Sequence, residues 1–303
     1  MIYADRLEAA VRRTGNPCLV GLDPHLELLP PEFAAARDPA ASRVERAAAV
    51  TSFLLEVIDV AAGRVPAVKP QSAFFELLGP AGAQAWETVV EAAHAAGLLV
   101  IGDVKRSDIG STAAAYATAF LEGLPGSNPS ALCDAVTVNP LLGSESIQPF
   151  LDVCARGEKG LYVLVRTSNP GSDEFQAQGS PSLSERIADA VVRWGEPLVG
   201  ECGMSSVGAV VGATLPGELA ELRARMPRTP LLLPGYGAQG AGAADVAHGF
   251  LDGGRGALVN SSRAVLFAYR NRPGVPWKDA TREALEAMIE ALGAPLGQST
   301  GSG

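Results

Sequence analysis

The sequence predicts an α/β protein built as a single-domain (β/α)8 (TIM) barrel, and three observations carry that expectation. Eight short aliphatic, β-branched runs recur along the chain. Longer alanine-rich segments with helical periodicity separate them, which is the pattern of a parallel sheet with crossover helices. The length, 303 residues, is one that such barrels reach as one domain. An open doubly wound sheet is the alternative arrangement of the same elements.

Taken in order, an amphipathic segment at 3–13 is placed to cap the amino-terminal mouth of the barrel. The first run, 18–22, is followed by a helix at 42–61, and the second, 67–69, by a helix at 83–96. Runs 98–103 and 135–139 lead into helices 111–121 and 144–155. Runs 161–166 and 207–211 lead into 182–194 and 218–225, and runs 231–233 and 257–259 into 241–251 and 281–292. No shift in composition marks a second domain, so residues 1–296 are expected to form one barrel and 297–303 a loose tail.

Composition excludes several function classes. Hydrophobic residues make up 47% and charged residues 19%, enough aliphatic material for a large core and too little charge for wholesale disorder. Twenty-four Lys and Arg against 33 Asp and Glu leave a net charge of -9, which disfavours a general grip on nucleic acid or an anionic membrane. Cys18, Cys133, Cys154 and Cys202 stand far apart without a C-x-x-C pair, so neither a disulfide framework nor a zinc ribbon is expected and a reducing cytoplasm is the simplest location. Asp5, Arg6 and Glu8 lie where a signal peptide needs its apolar core, and the longest charge-free runs are broken by Gly, Ser and Pro.

In this fold the active site forms where strands run into their following loops. Nearly every run ends in a polar residue there: Asp23, Lys69, Asp103 with Lys105, Asn139, Thr167 with Ser168, Thr214, the glycine-rich 235–240 loop, and Asn260 with Arg263. The densest stretch is Asp103-Val104-Lys105-Arg106-Ser107-Asp108. In an extended strand end Asp103 and Lys105 project to the same face, and Asp108 follows in the turn. With Lys69 from the neighbouring strand, the cavity is expected to hold two ammonium groups and two carboxylates, each cation flanked and kept protonated. A structural ion-pair cluster is the plainer alternative.

A loop after strand seven and a cation after strand eight form the usual phosphate station of such barrels, and here they are the 235–240 loop with Gln239 and the guanidinium of Arg263. The histidines, His25, His94 and His248, show no metal-ligand spacing, and packing or surface roles are expected for them. Neither a Walker loop nor a dinucleotide fingerprint is present.

These residues resemble the orotidine 5'-phosphate decarboxylase family over about 21–269. The family's D-x-K-x-x-D-I signature stands as Asp103, Lys105, Asp108 and Ile109, joined in order by Gly21-Leu22-Asp23-Pro24, Val68-Lys69-Pro70, Thr167-Ser168-Asn169-Pro170-Gly171, the 237–240 segment and Arg263. The 24–41, 69–76 and 259–263 stretches look like the longer bacterial branch. The resemblance implies that Asp23 binds ribose hydroxyls, that Lys69 bridges ribose and the charge network, that Asp103 faces the substrate carboxylate and that Lys105 donates the proton. It further implies that Asp108 and Thr112 reach the neighbouring subunit's site in a homodimer, that Ser168 contacts the pyrimidine, and that Gln239 and Arg263 hold the phosphate. Ser262 stands where many shorter members have glycine. Neither metal nor organic cofactor is implied. A magnesium-dependent sugar-phosphate decarboxylase or aldolase of the same superfamily, and a barrel that binds a nucleotide without catalysis, are the alternatives.

Overall fold

In a computed structural model that describes residues 1–237 and 240–293, eight parallel strands close into a barrel in sequence order, with the last hydrogen-bonded to the first. The chain opens with helix α1 (Tyr3–Thr14), strand β1 (Cys18–Leu22), helix α2 (Arg43–Ala61) and strand β2 (Ala67–Pro70). Helices α3 (Ser72–Glu76) and α4 (Pro80–Ala95) follow, then β3 (Leu99–Arg106), α5 (Gly110–Ala117), β4 (Ala135–Val138) and α6 (Ser144–Arg156). Next come β5 (Gly160–Arg166), α7 (Leu183–Gly195), β6 (Val207–Val211), α8 (Pro216–Arg225) and β7 (Leu231–Leu233). The chain continues through α9 (Ala243–Ala247), β8 (Ala257–Ser261), α10 (Arg263–Leu266) and α11 (Trp277–Gly293).

The expected strands and the helices between them are all present, and the differences have local causes. The helix read at 241–251 shrinks to α9, which starts after Gly242 in an extended conformation and stops two residues before Gly249, the two glycines that interrupt the segment. The helix read at 83–96 starts earlier, with Pro80 in the first turn where its missing N–H costs nothing. The one read at 111–121 ends its α-helical part at Ala117 and widens into a π turn over Thr118–Glu122. Helices α2 and α7 begin with reciprocal capping boxes: Ser42 Oγ accepts from Glu45 N at 3.2 Å, and Ser182 Oγ from Glu185 N at 3.2 Å. The expected tail at 297–303 lies outside the described residues.

Apolar packing separates into two layers. Leu19, Ala67, Leu99, Ile101, Ala135, Val210, Leu232 and Leu258 fill the barrel interior, and Tyr3, Leu7 and Ala10 of α1 close it from the amino-terminal end. Tyr3 lies edge-on to Tyr162 with centroids 6.2 Å apart, and a Cβ on Gly160 would come within 2.2 Å of its ring, so glycine is required there. The second layer packs the helices against the barrel wall. It includes an aromatic group of Phe33, Phe53, Phe267 and Trp277, which pins the 24–41 segment against α2 and α11.

At the closed end, buried Asp134 ties three elements together. Its carboxylate accepts from Arg6 of α1 at 2.6 Å, from the Val100 N–H of β3 at 2.8 Å and from His94 Nε2 of α4 at 2.9 Å. His94 Nδ1 faces the Ser130 carbonyl at 2.7 Å. Both ring nitrogens thus meet acceptors, and the ring must carry both protons. Burial pulls its pKa down, with nearby Lys159 adding to that, but Asp134 and the carbonyl outweigh them and hold it above the ordinary value. The clamp's stabilisation is accordingly complete below about pH 6.5 and is lost as pH rises through the raised folded value. The melting-temperature difference between wild type and His94→Gln should be largest near pH 6 and shrink towards pH 9. A difference that stays constant over this range would contradict the assignment.

Candidate active site

The polar residues collect at the carboxyl ends of the strands, opposite the α1 plug. Lys69, one residue from the end of β2, is buried and donates to Asp103 Oδ2 at 2.6 Å, and Gln71 Nε2 donates to the same oxygen at 3.0 Å. Lys105 Nζ reaches Asp103 Oδ1 at 2.5 Å, and the Thr137 hydroxyl donates to Oδ1 at 2.8 Å. One buried carboxylate thus accepts from two ammonium groups, an amide and a hydroxyl. Burial alone would raise the Asp103 pKa, but Lys69 and Lys105 hold it well below the usual carboxylate range. Burial likewise works against a charged Lys69, and Asp103 with Asp23 reverses that and raises its pKa.

Asp103 and Lys105 do project into one cavity, although the strand between them is not regular. Gly102 pairs with Val136 and Arg106 with Val138, so four steps of β3 face two of β4. The surplus forms a bulge. Within it Lys105 adopts φ 45°, and it is the one non-glycine residue with positive φ among the described residues. Its side chain is 45% exposed and stands at the open mouth, whereas Asp103 behind it is buried.

The remaining strand ends surround this network. Asp23, after β1, lies near enough to Lys69 to raise its pKa and has a buried Oδ1 without a hydrogen-bond partner among the described residues. Asn260 of β8 also has a buried Oδ1 without a partner among the described residues, and its amide reaches Ser262 Oγ at 3.4 Å. A Cβ on Gly21 of β1 would lie 1.8 Å from Ser262 Oγ, so the serine fits because residue 21 is glycine. Exposed Arg263 opens α10, and the 235–237 loop packs beside it, with a Cβ on Gly237 falling 3.3 Å from Ala264 Cβ. Gln239 lies outside the described residues. His25, expected to be a packing residue, rests edge-on to Phe74 at 4.5 Å between centroids, close enough to Asp23 and Arg263 to feel both charges.

Ser168 is half-buried in a loop fixed by two devices. Gln176 accepts from the Thr167 N–H and donates to the Thr167 hydroxyl, both at 2.8 Å. Buried Arg166 donates to Glu218 and to the Ser172 hydroxyl at 2.6 Å each and also binds Asp173. Asp108 does not join the charge network of its own chain, contrary to the two-carboxylate expectation. It is half-exposed and accepts from the Ile109 N–H at 2.8 Å, and Thr112 is exposed on the first turn of α5. The turn after the β3 bulge leaves both at the surface together with exposed Ile109, and the connections after the flanking strands β2 and β4 carry exposed Leu77, Leu141 and Leu142. A 660 Å³ groove between α4 and α5, lined by Phe75, Trp86, Phe120 and Arg106, lies outside this mouth.

Gln71 and Thr137 escaped the sequence reading. A polar residue two past Lys69 on a strand end was a signal for Gln71, and a threonine alternating with valines inside β4 was a weaker one for Thr137. Among the described residues no group of three His, Cys, Asp or Glu side chains is arranged to hold a metal ion.

Fold and site together define a parallel (β/α)8 barrel of the enzyme class, with a lysine–aspartate–lysine network at its carboxyl mouth and, beside it, Arg263 after β8 and the glycine-containing 235–237 loop after β7. Residues 19–273 match the orotidine 5'-phosphate decarboxylase / HUMPS family, and the chain belongs to it. It is 45% identical over 302 residues to the orotidine 5'-phosphate decarboxylase of Rhodopirellula baltica, covering 96% of this chain and 99% of that one. It is 45% identical over 261 residues to that of Deinococcus radiodurans, covering 86% and 91%. The structure of Leishmania donovani OMP decarboxylase superposes with a TM-score of 0.74 at 31% identity, covering 98% and 99%.

Asp103→Asn removes the one carboxylate bonded to both ammonium groups, leaving Lys69 opposite a neutral amide. Unfolding free energy at pH 7 should fall by about 3 kcal/mol in urea titrations. The folded pKa of Asp103 is depressed, so its contribution is present above about pH 4 and fades as pH falls further. The gap between wild type and variant should therefore narrow in acid, and a gap that widened there would refute the charge pairing.

Proposed function

We infer that the chain converts orotidine 5'-phosphate to uridine 5'-phosphate and CO₂, and the observation that carries the reading is Lys105 held against Asp103 at the open end of the barrel with Lys69 behind. Loss of CO₂ from C6 leaves an electron pair in the plane of the pyrimidine, where the ring cannot delocalise it. Positive charge must therefore stand beside that carbon, and a proton must follow. Lys105 supplies both: its ammonium stabilises the developing carbanion and then transfers a proton to C6, and solvent restores the lysine. Asp103 faces the departing carboxylate and fixes the ammonium. Asp23 and Lys69 hold ribose hydroxyls, Ser168 contacts the pyrimidine, and Arg263 with Gln239 holds the phosphate, whose binding energy orients the base.

Asp108 and Thr112 complete the site of a second copy, so that the working unit is a homodimer with shared sites. Their exposure, with exposed Ile109 beside Asp108 and exposed Leu77, Leu141 and Leu142 on the connections after the flanking strands, supports this, since apolar side chains at one end of the barrel favour a partner surface. Among the described residues no helix is long and apolar enough to cross a membrane. With four free cysteines, we assign the protein to the cytoplasm.

The reading is tested by following loss of substrate absorbance in excess EDTA. Wild type should turn over under these conditions, and dependence on added Mg²⁺ would favour a sugar-phosphate enzyme instead. Lys105→Ala should lower kcat by at least 1,000-fold, on the order expected for a lost charge stabiliser and proton donor, with the protein still folded. Turnover near wild type in that variant would remove Lys105 from its role.

Site sharing has its own test. Lys105→Ala and Asp108→Ala subunits, each inactive alone, should regain activity when refolded together, because one site of each heterodimer then carries both defects and the other carries neither. Proven heterodimers without activity would place Asp108 in its own subunit's site.

A further inference from the structure

The β3 bulge leaves a problem that β4 must solve. With four steps of β3 facing two of β4 between the Gly102–Val136 and Arg106–Val138 pairs, the backbone around Lys105 cannot be held by ordinary ladder hydrogen bonds. Lys105 also sits at φ 45°, a conformation that a long side chain adopts only when its surroundings enforce it. Thr137 projects from β4 into this gap and is 1% exposed. Its Oγ1 accepts from the Lys105 N–H at 3.0 Å and donates its proton to Asp103 Oδ1 at 2.8 Å, the same oxygen that receives Lys105 Nζ at 2.5 Å.

The Thr137 hydroxyl therefore holds both ends of the arrangement. It pins the strained backbone of Lys105 and the carboxylate that orients the Lys105 side chain, so the ammonium is constrained from its own main chain and from its partner. We propose that Thr137 is a positioning residue for the decarboxylation, fixing the Lys105 ammonium where the charge at C6 develops. It lies behind Asp103, in the wall of β4, and acts through the two groups it bonds. Only a residue that donates and accepts at once fits, since an N–H must be met on one side and a carboxylate oxygen on the other. Valine, with the same shape, meets neither.

The inference rests on the decarboxylase reading. Thr137→Val, of equal volume, should lower kcat by about tenfold to a hundredfold, the range for losing hydrogen bonds to a charged group and a buried amide. The KM for orotidine 5'-phosphate and inhibition by uridine 5'-phosphate should stay within about threefold, because the ribose and phosphate contacts are made elsewhere. Thr137→Ser, which keeps the hydroxyl, should recover most of kcat. A loss in Thr137→Val that Thr137→Ser shares equally would indicate packing and overturn the proposal, as would a kcat unchanged in both. A purely structural role would lower the amount of active enzyme, so active sites are counted by titration with a tight-binding nucleotide inhibitor before kcat is calculated. If Thr137→Val does not fold, Thr137→Ala against Thr137→Ser reads the same hydroxyl, and equal kcat in that pair is the refuting result. Wild type without turnover would fault the decarboxylase reading, whereas full turnover in wild type and Thr137→Val alike would fault only the role of Thr137.

Discussion

The mouth of this barrel is organised around one buried carboxylate. Asp103 accepts from Lys69, Gln71, Lys105 and Thr137, and those four donors arrive from β2, its following turn, β3 and β4. An ionised carboxylate at such depth is costly unless its lone pairs are met, and here two of the donors carry full charge. The same contacts that make the carboxylate tolerable fix the two ammonium groups, so electrostatic satisfaction and the geometry of the site are one arrangement. Removing any member leaves another buried group short of a partner, which is why the network behaves as a unit.

Around it the molecule divides its work by height. The amino-terminal half of the barrel is apolar, filled by aliphatic side chains and closed by Tyr3, Leu7 and Ala10 of α1. Its polar tie, Asp134 with Arg6 and His94, lies outside the interior and joins helices to strands. The carboxyl-terminal half is polar and carries the acceptors of Asp23 and Asn260 that have no partner among the described residues. Packing stabilises one end, and the other is left to charged and polar groups whose own mutual bonds hold them in place.

Much of this was legible in the sequence because it depends on periodicity and on residue type at strand ends. Eight aliphatic runs became eight strands, and Lys69, Asp103 and Lys105 met in space because neighbouring strands end at one barrel mouth, although a bulge rather than regular alternation turns Lys105 towards Asp103. What was not legible depends on backbone irregularity. The bulge in β3 leaves no mark in a single sequence, and neither, therefore, did the need for Thr137 opposite it. Asp108 was read into the same cavity because the turn after β3 has no periodicity to say which way it leads, and it leads outward. Gln239 fell outside the described residues, so of the expected phosphate groups only Arg263 and the 235–237 loop can be placed.

The contact between Gly21 and Ser262 has a consequence for how this chain can change over generations. Ser262 Oγ occupies the space that a side chain on residue 21 would need, at 1.8 Å from where its first carbon would stand. The two positions, 241 residues apart in sequence, therefore share room for one small side chain. A lineage moving that side chain from the residue after β8 to β1 must first pass through glycine at both places, because the opposite order creates a collision at the mouth of the barrel. Such pairs drift together or not at all, and the tie between the first and last strands of a closed barrel is thereby written into which substitutions can follow which.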